Sequence, residues 1–268
     1  MNSHSNTEKE RAFLIKRFQE LARRCYNRQA PCNTDFLTLD EQSLFLAEKE
    51  RILKEVPSVF IEVTGGFPNA ERKILYYYPD FMDLELLNQA NIFAYLKIQP
   101  KYPKFAQSFS HRDVLGSLMS LGVERSKIGD IYLDEKNDVP IAYVILLEEV
   151  CDYFLHSLEK IKHTDVFLEL INPDEISYQL KFKEITGTVA SIRLDSVCAL
   201  AFKASRSEMT RAISDAKVFV NGRLITSNGY RLNIGDIISI RGMGRFQYTE
   251  ENSTTRKGRI YIKLMKYV

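Results

Sequence analysis

Residues that hold metals and disulfides are scarce and scattered in this chain. Its four cysteines, Cys25, Cys32, Cys151 and Cys198, form no Cys-x-x-Cys pair and have no suitably spaced histidine nearby. Neither a zinc site nor a disulfide framework is expected. His4, His111, His156 and His163 are too few and too dispersed for a histidine-rich metal site, and no cofactor is called for. No stretch approaches the roughly 18 to 20 uninterrupted apolar residues of a membrane span. The polar, charged stretch from Met1 to Arg11 has no apolar signal-peptide core. The expectation is a cytoplasmic protein with no membrane partner and reduced thiols.

What is present is the profile of a globular chain of one to three domains: 268 residues, 45% apolar and 27% charged. A net charge of +2 conceals an asymmetry. Residues 181 to 268 carry 16 Lys and Arg against 7 Asp and Glu, or +9, leaving 21 against 28, or −7, for residues 1 to 180. A basic last third predicts attraction to phosphate, because each neutralised phosphate releases condensed counterions. A merely solvated basic face would show the same count.

Apolar residues at Phe13, Leu14, Phe18, Leu21 and Ala22 recur near a 3.6-residue period and predict an amphipathic helix over residues 7 to 26. A second helix fits Thr38 to Lys54, with Thr38 and Glu41 in capping-box register and Pro57 closing the segment. After the Gly65-Gly66 turn, Lys73 to Tyr78 reads as a strand stopped by Pro79. From Ile92 onward the reading is a strand to Ile98, a helix from Arg112 to Leu121, and strands at Asp130 to Leu133 and Ile141 to Leu147. A helix from Glu149 to Ile161 and a strand from Val166 to Ile171 follow. That order, β-α-β-β-α-β, is the split βαβ plan of ferredoxin-like and RRM-type domains. An RRM proper would carry an aromatic RNP1 segment, and none is present. Tyr143 is a lone strand aromatic expected to pack within its sheet.

Past the Asn172-Pro173-Asp174 break, Phe182 to Ile192 reads as a strand, and a basic module follows. Asp195 to Phe202 and Ser207 to Asp215 show helical spacing and are joined by Lys203-Ala204-Ser205. Ser205 can cap the second helix with Glu208 three residues on, which puts Ser205, Arg206 and Ser207 where backbone amides favour a phosphate. Lys217 to Leu224 is a strand with a tight Asn221-Gly222 turn, and Leu232 to Gly242 is a second turn and strand.

These residues resemble the S4 RNA-binding domain. Arg193-Leu194-Asp195, then Ser205-Arg206-Ser207-Glu208 with Ile213, then Val218 to Gly222, then Gly235-Asp236, match its pattern in order over about 55 residues. The family grips RNA backbone through the Ser-Arg-Ser helix and the loop after it, which implies such roles for Arg206, Ser207, Arg211 and Lys217. Ala216 stands where the family usually has glycine. The block Phe109 to Gly122 with Gly129-Asp130-Ile131 resembles the YlmH family, bacterial proteins encoded near cell-division genes, in which an RRM-like domain precedes an S4 domain. The resemblance implies a noncatalytic factor that binds rRNA and tRNA on the large ribosomal subunit, in quality control and rescue of stalled nascent chains.

The expected architecture is α+β: an α-rich region at 1–72, an RRM-like domain at 73–172, and an S4 domain with C-terminal strands at 181–268. The candidate RNA contacts are Arg193, Ser205, Arg206, Ser207, Arg211, Lys217, Asn221, Arg223, Arg241 and Arg245, with His111 and Arg112 from the middle domain. Phe246 and Tyr248 fit either base stacking, worth roughly 1 to 3 kcal/mol each, or packing.

Four other readings meet the same residues. His111-Arg112-Asp113 looks like a kinase catalytic loop, but position 118 is Leu rather than the required Asn and no Gly-rich phosphate loop accompanies it. Gly242-Met243-Gly244 opens no helix and reads as a turn rather than a dinucleotide loop. Arg193-Leu194-Asp195 matches the catalytic triplet of pseudouridine synthases, which makes an RNA-modifying enzyme one alternative, and a cell-division adaptor built on the acidic region is another.

Overall fold

The computed structural model describes residues 2–82, 92–136, 138–176, 181–255 and 258–267. The chain divides into two compact units: Met1–Glu41 with Ala47–Tyr178, and Gln42–Leu46 with Gln179–Val268. Among the described residues no helix is long and apolar enough to cross a membrane.

The first unit opens with α1 (Asn2–Arg28). Phe18, Ala22 and Cys25, spaced 4 and 3 residues apart, form its buried stripe. Phe13, expected inside, is 69% exposed. After β1 (Cys32–Asn33), α2 (Leu39–Glu55) begins with the expected capping box. The Glu41 amide donates to Thr38 Oγ1 at 3.4 Å and the Thr38 amide to Glu41 Oε2 at 2.6 Å, a device worth about 1 kcal/mol. Strands β2 (Val59–Thr64) and β3 (Ile74–Pro79) complete a sheet of order β1-β3-β2. The segment from Lys73 was read as the opening of the RRM-like domain. Its strand instead pairs antiparallel with both β1 and β2, so the helical N-terminal part carries a sheet of its own and the next sheet starts at Phe93.

That second sheet follows the split βαβ plan. Strands β4 (Phe93–Pro100), β5 (Ile128–Lys136), β6 (Val139–Leu147), β7 (Lys160–Ile161) and β8 (Thr164–Ile171) lie in the order β5-β6-β4-β8-β7, with every neighbour antiparallel. Helices α3 (His111–Ser120) and α4 (Cys151–Ser157) send Val114, Leu118 and Phe154 into a core shared with Leu96, Ile98, Val144 and Leu146. Each such side chain, fully buried, is worth about 1.5 to 3 kcal/mol. The second helix stops at Ser157 rather than Ile161, because Lys162 takes φ +54 and turns the chain so that Lys160 and Ile161 pair with β8. Tyr143 is 2% exposed and packs in the sheet, as expected.

Asp130 joins this sheet to the first. Its carboxylate accepts from the Glu71 amide at 2.6 Å and the Arg72 amide at 3.1 Å, while Arg72 donates to Ile128 O at 3.0 Å and Phe36 O at 2.9 Å. Buried carbonyls need such partners, and one guanidinium serves several at once.

The second unit is a six-stranded antiparallel sheet with two helices. Strands β9 (Phe182–Val189), β10 (Val218–Val220), β11 (Arg223–Leu224), β12 (Ile237–Ile240), β13 (Gly244–Thr254) and β14 (Ile260–Tyr267) run in the order β11-β10-β12-β13-β14-β9. Helices α5 (Leu194–Phe202) and α6 (Arg206–Ser214) cover it through Val197, Cys198, Ala201, Met209 and Ile213.

Candidate nucleic-acid interface

Local chemistry sets the interface geometry. Lys203 ends α5 in the left-handed region at φ +52, and Ser205 immediately caps α6, its Oγ accepting from the Glu208 amide at 3.1 Å. Only this half of the expected capping box forms. The Ser207 hydroxyl lies 2.9 Å from that of Ser205, so both sit at the open end of α6, where the helix dipole favours an anion. Asn221 and Gly222 take φ +50 and +78, the geometry of a two-residue hairpin turn that feeds β10 into β11.

The candidate cations fall into two groups on either side of α6. Arg193 and Arg206 converge on Asp195: Arg206 Nη2 donates to Oδ2 at 2.7 Å and Arg193 Nε to Oδ1 at 3.3 Å. Asp195 is 3% exposed. Burial opposes its ionisation, but the two arginines outweigh that and hold its carboxyl below the ordinary carboxylate range. Its oxygens also accept from the Ser196 amide at 2.8 Å. This carboxylate thus holds two guanidiniums together.

Arg211 lies five residues beyond Arg206, roughly 140° around the helix axis at 100° per residue. The two do not share a face of the helix. Arg211 instead lines a groove of about 270 Å³ with Lys217 and Arg241, closed by Gly242 and Met243 and edged by Glu208 and Asp215. Lys217 bonds Asp215 at 3.2 Å with both side chains about half exposed, a pair of little energetic weight. Arg241 lies 5.8 Å from the Phe219 ring centroid, and its amide donates to Lys217 O at 2.9 Å, tying the two basic segments together.

The other candidates differ in kind. Asn221 is committed to the fold: Nδ2 donates to Asp236 Oδ1 at 2.8 Å and Oδ1 accepts from the Ile237 amide at 2.9 Å. Arg223 is exposed on the edge strand β11. Arg245 stacks its guanidinium 4.3 Å from the Tyr267 ring centroid. Phe246 and Tyr248 are both fully buried, so of their two readings packing is the one that holds. His111 and Arg112 begin α3 in the first unit. Enclosure by neighbouring atoms, then the nearby Arg125, push the His111 imidazole below its ordinary pKa, so at neutral pH it brings no positive charge. Sequence reasoning passed over Arg231, which forms an isolated bridge to Arg193, and Lys266, whose ammonium lies 4.2 Å from the Phe202 ring centroid. Their charge was visible, but the partners lie 38 and 64 residues away along the chain.

Residues 91–175 match the family described as a putative RNA-binding domain in YlmH, and residues 192–238 match the S4 domain. The chain is 30% identical over 225 residues, 84% of its own length and 82% of the relative's, to ribosome-associated protein quality control protein P2 of Bacillus subtilis (strain 168). It belongs to the YlmH family. A solved structure of the cell division protein ylmH from Streptococcus pneumoniae is also similar, with a TM-score of 0.47 and 22% identity, covering 62% of this chain and 94% of that one. Both matched domains of this YlmH-family chain coincide with folded elements, the first with β4 through β8 and the second with α5 through β12.

Proposed function

We propose that this protein is a noncatalytic factor that binds rRNA, together with tRNA, on the large ribosomal subunit and serves the quality control of stalled nascent chains in the cytoplasm. The observation that carries the reading is the groove walled by Arg211, Lys217 and Arg241 along the flank of α6. Three cations on rigid elements suit the backbone of an A-form helix, whose base edges are hidden in a deep major groove and which proteins read by phosphate and shape. The relative in Bacillus subtilis, named for ribosome association and quality control, supplies the cellular setting. Asp195, the acid of the Arg193-Leu194-Asp195 triplet, is bonded to two arginines of the same module.

The test is sedimentation of the full chain through sucrose gradients with separated ribosomal subunits, followed by ultraviolet crosslinking to name the bound RNA helix. Co-migration with the large subunit and crosslinks to its rRNA are expected. Migration at the top of the gradient, or equal binding to both subunits, would refute the assignment.

A further inference from the structure

The first unit holds a much larger cavity than the basic groove, and its chemistry is of the opposite sign. A cleft of about 1110 Å³ lies between the face of the first sheet and one end of the second, bounded among others by Glu62 of β2, Tyr76 of β3 and Tyr95 of β4. Four carboxylates line it, Glu62, Glu148, Asp152 and Asp174, and no Lys or Arg does. All four are exposed, and none has a side-chain ion pair or hydrogen bond among the described residues. Carboxylates left unpaired around one cleft repel phosphate and attract cations.

Two further observations give the cleft the character of a binding site. Its walls between the acids are aromatic: Phe67, Tyr76, Phe93 and Tyr95 line it, and the row continues across the sheet, with Tyr76 and Tyr78 stacked at 6.0 Å and Phe60, 50% exposed, 5.7 Å beyond Tyr78. Aromatic faces beside carboxylates are the surroundings that a guanidinium or ammonium group prefers. Tyr76 is also 3% exposed, and its hydroxyl is buried without a hydrogen-bond partner. Buried hydroxyls nearly always have one, so this lone oxygen marks a place for an incoming donor or acceptor.

We propose that this cleft docks a basic peptide, an Arg- or Lys-rich extended segment of a partner protein. Its cationic side chains lie beside Phe67 and Phe93 and against Glu62, Glu148, Asp152 and Asp174, and one of its polar groups completes the Tyr76 hydroxyl. The volume exceeds the roughly 300 to 1,000 Å³ of a small-molecule pocket and suits several side chains in a row. The chain's own segment 83–91 carries Asp83 and Glu85 and no cation, so it lacks the complementary charge. RNA is disfavoured for the same reason. This inference is independent of the ribosomal reading, since it concerns the first unit and a protein ligand.

The test uses the full chain and a short fluorescein-labelled peptide of alternating arginine and glycine, followed by anisotropy, with the glutamine-for-arginine peptide as control. Saturable binding of the arginine peptide alone is expected. Replacing Glu62→Gln, Glu148→Gln, Asp152→Asn and Asp174→Asn together should weaken it by about tenfold or more, through loss of complementary charge. Tyr76→Phe, which keeps the ring and removes only the hydroxyl, should weaken it by about threefold. Thermal melting verifies that both variants remain folded. Wild-type affinity in either variant, equal binding of the glutamine peptide, or displacement of the arginine peptide by a short single-stranded RNA overturns the proposal.

Discussion

Replacing Arg211, Lys217 and Arg241 together by glutamine tests the basic groove through a quantity that the geometry supplies. Each cation set against a phosphate contributes about 0.7 to 0.9 to the slope of log K against log salt. Three such contacts amount to roughly 2 to 3 slope units. Over a fourfold rise in salt, about 0.6 log units, the intact protein should therefore lose roughly 20- to 40-fold more affinity than the variant. Little is deducted for Lys217, whose 3.2 Å contact with Asp215 is half exposed and screened. The stability of the fold should move by no more than about 0.5 kcal/mol, because these side chains stand at the surface. Equilibrium binding to purified large subunits from about 50 to 200 mM salt, the range over which phosphate contacts register strongly, gives both slopes. Parallel lines would refute the assignment of the groove to RNA. As an internal comparison, Arg206→Gln should flatten the slope by less than one unit, since Arg206 and Arg193 share the charge of Asp195.

Two substitutions separate folding from binding at the turns of the same module. Asn221→Ala removes a charge-assisted bond to Asp236 and a bond to the Ile237 amide, and it leaves alanine at φ +50. The combined loss is about 3 kcal/mol or more in urea unfolding, with the salt slope of RNA binding unchanged; weakened RNA binding at full stability would make Asn221 a contact instead. Ala216→Gly should act the other way. Ala216 sits at φ +57, where an L side chain costs roughly 1 to 2 kcal/mol, and glycine's extra chain entropy takes back about half of that. A net gain of about 0.5 to 1 kcal/mol in the same assay is expected, and a loss would mean that the left-handed turn is not under strain.

The features legible in the amino-acid sequence are those whose physics is local. Thr38 with Glu41 and Ser205 with Glu208 announce helix starts, because a cap involves residues three apart; Asn221-Gly222 announces a hairpin, because the turn itself demands positive φ. The succession of helices and strands in the middle domain, apart from the short β7, could be read from its helix and strand periods. What stayed hidden depends on distant pairing. Lys73 to Tyr78 is plainly a strand, yet its partners lie in the strands that begin at Cys32 and Val59, so the sheet it joins is not legible in its own residues. The two-residue period of β13 puts Phe246 and Tyr248 on one face, but whether that face meets RNA or the core is decided by what lies over it, where Phe202 of α5 meets Phe246 edge-on at 5.8 Å. The same applies to charge. A count of +9 marks the last third as basic without showing which cations the fold already engages. Asp195 answers part of that by drawing Arg193 and Arg206 together at the junction of the two helices, so on the proposed reading the salt-dependent share of RNA binding falls to Arg211, Lys217 and Arg241.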